Sequence, residues 1–257
     1  MVLLFNYRRI KLIVPFLIFF LGLFVGIKLS YFQNIAISVG RTQRLLPIYS
    51  VDTKEKKVAL SFDATWGAKH TPKLLEILKK HKVKSTFFLT NIWLKEYPEV
   101  AKKIVQEGHE IGLHSATHPH FTSLSEKEME QELKENSLLV EKTTGYKAKL
   151  FRPPFGDYND QVIRVVKSMG LWPIQWDVDS LDWQDQMSQE DIYNRVTKNI
   201  KPGSIVLFHN NGQYTADVLS PLLDWLEQEG YEVVPIGELI IKGDYYVDHA
   251  GVQHSEP

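Results

Sequence analysis

Between residues 57 and 241 the hydrophobic positions follow two alternating rhythms. Short apolar runs at 58–62, 85–89, 110–113, 150–152, 174–178, 204–208 and 231–235 read as buried strands. The stretches between and after them, at 71–81, 97–107, 125–142, 159–169, 188–199, 216–229 and 236–241, read as helices, with spacing such as that of Leu74, Leu75, Ile77 and Leu78. Gly108, Gly145, Gly170, Gly203 and Gly230 fall after helices or just before strands, where a chain leaving a helix needs a residue tolerant of positive φ. Seven β–α units with short connections predict an α/β fold with a parallel sheet. Closure into a (β/α) barrel of about seven units is the simplest arrangement, and an open doubly wound sheet is the alternative.

The two ends break this rhythm. Arg8, Arg9 and Lys11 precede an uncharged apolar run at 12–27, interrupted only by Pro15, Gly22 and Gly26. As a helix the run spans roughly 24 Å, short of a hydrocarbon core of about 30 Å. Lys28 can snorkel, and Leu29, Tyr31 and Phe32 extend the apolar length into an interfacial belt. Residues 1–32 therefore read as a cytoplasmic stub and an uncleaved membrane-anchoring helix, 33–56 as a stalk, 57–241 as the domain, and 242–257 as a polar, disordered tail. A cleaved signal peptide is the rival reading, with Ala36-Ile37-Ser38 as its only small-residue cleavage site. Basic residues ahead of the span put the domain outside the cytoplasm, and either reading exports it.

Composition narrows the chemistry. The formal net charge of −1 speaks against a nucleic-acid partner. With no cysteine, there can be no disulfide, thiolate metal site or cysteine nucleophile, so any metal must be held by His, Asp, Glu or water.

Five short pieces at the ends of predicted strands carry the candidate chemistry: Ser61-Phe62-Asp63-Ala64, His114-Ser115-Ala116-Thr117-His118, Arg152-Pro153-Pro154-Phe155-Gly156, Asp179-Ser180-Leu181-Asp182-Trp183 and Leu207-Phe208-His209. Barrel enzymes gather their active sites at that end of the strands. Asp63 can deprotonate a water or merely cap the next helix. His114 and His118, four apart, can converge on one ion if the segment turns helically, or can belong to a His-rich polar loop. The Arg152-Pro153-Pro154 backbone is stiff enough to aim the Phe155 amide at an oxyanion while Arg152 pairs with a carboxylate. Asp179 and Asp182 supply two acids, Trp183 can stack on a sugar or fill core, and His209 can act as a general acid if a carboxylate holds it.

Taken together and in this order, the five pieces resemble the motif regions of the NodB-homology polysaccharide deacetylases, carbohydrate esterase family four, over about residues 56–240. The resemblance implies a distorted (β/α) barrel that hydrolyses N-acetyl, sometimes O-acetyl, groups of a sugar polymer with a divalent metal, zinc for preference. By motif position it implies Asp63 as general base and His114 and His118 as metal ligands. It implies that Arg152 orients Asp63, that Asp179 tunes His209 as general acid, that the Phe155 amide binds the oxyanion, and that Trp183 and Leu207 line the acetyl pocket. The family's motif has a second aspartate where this chain has Ala64. The text Ser-Phe-Asp-Ala-Thr-Trp-Gly resembles the sporulation-associated, PdaB-like branch. The expectation is a membrane-anchored peptidoglycan deacetylase. A glycan-binding protein with a degenerate site and an O-acetyl esterase are the alternatives.

Overall fold

The computed structural model describes residues 21–25, 28 and 44–256. Most of the expected anchor, and residues 33–43 of the expected stalk, lie outside them. Among the described residues no helix is long and apolar enough to cross a membrane. A separate unit begins at Leu45 and runs to the C-terminus.

In chain order the elements of this unit begin with β1 (Ser50–Val51), β2 (Lys57–Ala64), α1 (Thr71–Lys80), β3 (Thr86–Leu89), α2 (Asn91–Glu96), α3 (Pro98–Gln106) and β4 (Glu110–Leu113). There follow α4 (Glu126–Thr144), β5 (Leu150–Phe151), α5 (Asp160–Ser168), β6 (Trp172–Pro173), β7 (Val178–Asp179), α6 (Gln189–Asn199) and β8 (Ile205–His209). Last come α7 (Thr215–Gln228), β9 (Glu232–Val233), α8 (Ile236–Leu239), β10 (Tyr245–Val247) and β11 (Val252–Ser255). Strands β6-β5-β4-β3-β2-β8-β7 pair in that order, all parallel, and β9 joins the first residues of β2. The sheet curls into a half-barrel, consistent with the expected family barrel.

Alternation along β2 sorts the layers. Val58, Leu60, Phe62 and Ala64 join the apolar cluster shared with helix residues such as Leu74, Leu75 and Leu219, where Phe62 stacks on Phe87 at 4.9 Å. Ala59 belongs instead to the cluster with Phe88, Leu150, Ile174 and Ile205, and Ile236 and Leu239 of α8 complete that cluster. Ser61 and Asp63 share the face of Ala59 by the two-residue period of a strand, so that face becomes polar toward the C-terminal end.

Three expectations are corrected. The predicted strand at 174–178 is not continuous: β6 ends just before it at Pro173, and β7 begins only at Val178. Ile174 pairs with Ile48, and the Asp177 carboxylate takes the Ile205 N–H at 2.8 Å and the Ser204 hydroxyl at 2.9 Å in place of a continuous ladder. The stalk is structured from Leu45 on, because Ile48 donates to the Pro173 carbonyl and Val51 to that of Gly203, which covers both sides of the β6–β7 opening. The expected tail is not disordered. β10 and β11 form an antiparallel pair, β11 runs parallel to β1, and the buried Gln253 amide bonds both the N–H and the C=O of Ile241 at 2.9 Å. Those strands are short and held by distant partners, so periodicity alone does not reveal them.

His254 fastens this hairpin, its Nδ1 meeting Asp52 at 2.9 Å and its Nε2 meeting Asp248 at 3.2 Å while Tyr246 stacks on its ring. The hydrogen bond with Asp248, joined by that with Asp52, raises the imidazole pKa above its usual 6.5 despite some desolvation. A raised folded-state pKa stabilises fully below 6.5, and that contribution is lost as pH rises through the folded value. Amide exchange at 245–255 should therefore accelerate, beyond the intrinsic rate, across that window. His254→Gln should remove the excess.

Candidate active site

The register of β2 against β8 sets Asp63 directly opposite His209. Both open into a cleft of about 700 Å³ at the C-terminal edge of the sheet, lined also by His114, His118, Phe155, Asp179, Trp183 and Leu207. The structure thus gathers at one cleft every candidate named above except Arg152, which lies directly behind Asp63.

Arg152 is fully buried and anchors the site. Its Nη1 donates to Asp63 Oδ1 at 2.7 Å, while Nη2 donates to Ser61 Oγ at 2.9 Å and to the Gln175 carbonyl at 3.1 Å. The guanidinium carbon lies 4.1 Å from the Phe88 ring centroid. Burial alone would push the Asp63 carboxyl up, but Arg152, helped by His114 and His209, outweighs it and holds the group below its usual range. Asp63 is therefore a carboxylate at neutral pH. The Arg152 hydrogen bond fixes its orientation.

On one side of Asp63 stand the two histidines. His114 Nδ1 donates to the Arg152 carbonyl at 2.8 Å, which leaves Nε2 as a bare nitrogen 3.6 Å from Asp63 Oδ2. Its backbone N–H donates to Asn136 Oδ1 at 2.9 Å, and the Asn136 Nδ2 group ties Leu89 and Asn91 to the same point. The His118 ring lies 5.0 Å from that of His114. The segment does not turn helically, contrary to the premise of the four-residue spacing. Ser115 and His118 at φ 76° and 60° fold it as an irregular loop, with the Ser115 hydroxyl accepting from the His118 N–H. Burial lowers both imidazole pKa values, that of His118 to about 4 with help from His114, so both rings are neutral.

Two neutral imidazoles, that of His114 with its Nδ1 fixed by a backbone carbonyl and that of His118 with a buried Nδ1 that has no partner, suit a metal, and the family implies one. The rest of the donor set does not fit. The Ala64 methyl is fully buried in the apolar layer beneath the helices, and no group of three or more His, Cys, Asp or Glu side chains placed to hold an ion occurs among the described residues. A catalytic zinc site needs three protein ligands, and here two neutral ones are in place.

On the other side is His209, and its partner differs from the expected one. Nδ1 donates to Asp182 Oδ1 at 2.8 Å, not to Asp179. Asp182 is buried, and its Oδ2 also accepts from the His209 N–H at 2.8 Å and the Thr215 hydroxyl at 2.5 Å. Burial works against the charged imidazole, but the hydrogen bond and charge of Asp182 prevail and raise its pKa above 6.5. Asp179 uses Oδ1 on the Leu181 N–H at 2.9 Å, and burial raises its own pKa. It influences His209 only through space. The reason lies in the backbone: Asp179 is the last residue of β7, whereas left-handed Leu181 at φ 59° turns the chain so that Asp182 reaches back to His209. Phe155 and Trp183 present exposed rings on the rim, and Leu207 is buried at the wall.

Sequence reasoning missed Asn136 and Ser61 as supports. Asn136 had a signal, being the polar member of the buried stripe Met129, Leu133, Asn136, Val140 on α4. Ser61 had none beyond its place two residues before Asp63.

Comparison with known proteins agrees with this geometry. The polysaccharide deacetylase family profile matches residues 50–174. The chain is 34% identical over 197 residues to the peptidoglycan-N-acetylmuramic acid deacetylase PdaA of Bacillus subtilis, covering 76% of this chain and 75% of that protein. It is 34% identical to the uncharacterized protein YlxY of the same organism, over 76% of this chain but only 60% of the relative's length. Among solved structures, a mutant with restored enzymatic activity of a carbohydrate esterase family four pseudoenzyme from Bacillus anthracis superposes with a TM-score of 0.72 at 39% identity, over 75% of this chain and 70% of that one. The chain belongs to the polysaccharide deacetylase family.

Proposed function

We propose that this protein hydrolyses N-acetyl groups of cell-wall peptidoglycan, held to the cell membrane by its N-terminal segment with the domain outside. The observation that carries this reading is an Arg152-bound Asp63 set opposite an Asp182-bound His209 across one cleft. Asp63 takes a proton from water as it attacks the acetyl carbon, the Phe155 amide faces the resulting oxyanion, and His209 Nε2–H protonates the departing amine. Leu207 and Trp183 flank the acetyl group. The basic residues before the apolar run at 12–27 support the anchor, and the Ser-Phe-Asp-Ala-Thr-Trp-Gly text supports a role in sporulating cells. The test is acetate release from purified peptidoglycan. Wild type should release acetate slowly, and Asp63→Asn should abolish that release, at a cost of at least about 100-fold. Equal release from both proteins would sink the proposal.

A second reading has its own support. Ala64 leaves two neutral ligands where the family uses a metal, and a structural relative is described as a pseudoenzyme. On that reading the barrel binds glycan and turns over little or none. Retained glycan binding and retained cellular function in Asp63→Asn would favour it.

A further inference from the structure

The loop between β2 and α1 carries none of the acid–base groups, yet it puts a large exposed ring on the cleft rim. We propose that Trp66 and the basin behind it form a second sugar subsite, in which the indole stacks on the pyranose next to the acetylated one and Lys69 meets an acidic substituent of that sugar. This inference rests on the peptidoglycan reading above and specifies which of its sugars enters the cleft and which lies beside it.

Trp66 is 61% exposed, and a loose loop would let such a ring fold in. The loop is not loose. The Gly67 carbonyl accepts from Trp93 Nε1 at 2.7 Å and from Asn210 Nδ2 at 2.7 Å, and both donor residues are buried. Asn210 also bonds the Thr71 hydroxyl at 3.0 Å, which ties the turn to the start of α1. Gly67 stands at φ +64°, a left-handed conformation that another residue would adopt only with strain, and a Cβ there would also meet the Asn211 side-chain amide at 2.9 Å. The indole edge packs on the His118 imidazole at 5.1 Å, and Phe155 packs on that same imidazole at 4.5 Å. A flat apolar ring held rigidly in water beside a catalytic cleft matches the apolar face of a pyranose.

Beyond the loop lies a second basin of about 780 Å³, which shares Asn211 and Gln213 with the first and so adjoins it. The two differ in charge. The first is lined by Asp63, Asp179, Asp182 and Asp185, whereas the second has Lys69 and His70 and no carboxylate in its wall. Lys69 is exposed and has no ion-pair partner among the described residues. A strand of neutral hexosamines gives that cation nothing to bind. A strand in which alternate sugars carry a carboxylate places a neutral N-acetyl sugar among the aspartates and its acidic neighbour by Lys69.

Calorimetric titration of the full-length protein in detergent with two probes tests this: chitotetraose, and a tetrasaccharide alternating N-acetylglucosamine with N-acetylmuramic acid. Wild type should bind the muramic-acid probe more tightly. Trp66→Ala should weaken both probes about tenfold and Trp66→Phe much less. Lys69→Gln should erase the preference at low salt and leave chitotetraose unchanged. The inference is overturned if Trp66→Ala binds both probes as wild type does while Trp183→Ala weakens them, a result that leaves the glycan reading standing. Equal wild-type affinity for the two probes overturns the acidic-substituent part. A wild type that binds neither probe removes the glycan reading and the subsite together.

Discussion

Arg152→Met should lower the unfolding free energy by about 3–5 kcal/mol, more than any other single polar substitution in the domain. The guanidinium is completely buried, stacks on Phe88 and donates to Asp63, Ser61 and the Gln175 carbonyl. Methionine fills much of the volume but leaves an uncompensated Asp63 carboxylate and two orphaned acceptors in a buried pocket. The carboxylate then escapes its penalty by taking a proton, so the variant should regain stability as pH falls, opposite to the usual acid destabilisation. Asp63→Asn in the same chain should recover a large part of the loss, because the charge that Arg152 neutralises is gone. Urea denaturation of the two single variants and the double variant measures the coupling. If Arg152→Met unfolds within about 1 kcal/mol of wild type, the pair is not the anchor of the site.

Asp182→Asn should reduce acetate release by about 10³–10⁴-fold, whereas Asp179→Asn should leave most of it. Asp182 accepts the His209 Nδ1–H and backbone N–H, so it fixes the tautomer that points a protonated Nε2 at the leaving group. Asparagine keeps the shape but can donate where the carboxylate only accepts, which favours the wrong tautomer and removes the charge that raises the imidazole pKa. Because that pKa is raised, wild-type turnover should persist at neutral pH and decline as pH climbs through the His209 value. An NMR titration of His209 separates the two acids directly. Its pKa should fall strongly in Asp182→Asn and only slightly in Asp179→Asn, and the reverse order would return Asp179 to the role expected from sequence.

That exchange of aspartates shows where sequence stops. Motif order and strand-end position are enough to bring Asp63, His114, His118, Arg152 and His209 together, because parallel β–α units force their C-terminal ends into one row. Choosing between Asp179 and Asp182 requires knowing that Leu181 is left-handed, and no periodicity reports a single φ. The helical layer was legible for a related reason, since Leu74, Leu75 and Leu78 announce a buried face in the middle of a ten-residue helix. β10 and β11 were not, because each is only a few residues long and depends on Gln253 meeting Ile241 and on pairing with β1 far upstream. Ala64 was visible at once as a missing carboxylate. The structure adds that its methyl is buried and that no carboxylate completes a three-ligand group with His114 and His118 among the described residues.

The central claim is that the proton-transferring groups are complete and that Ala64 limits the metal rather than the acid–base chemistry. Zinc content and acetate release, measured together on wild type and Ala64→Asp, test it most directly. The account predicts that wild type retains little zinc through gel filtration and releases acetate slowly, while Ala64→Asp binds one equivalent, gains thermal stability on zinc addition and releases acetate at least about 100-fold faster. An Ala64→Asp protein that is folded and zinc-loaded yet no faster than wild type would contradict it.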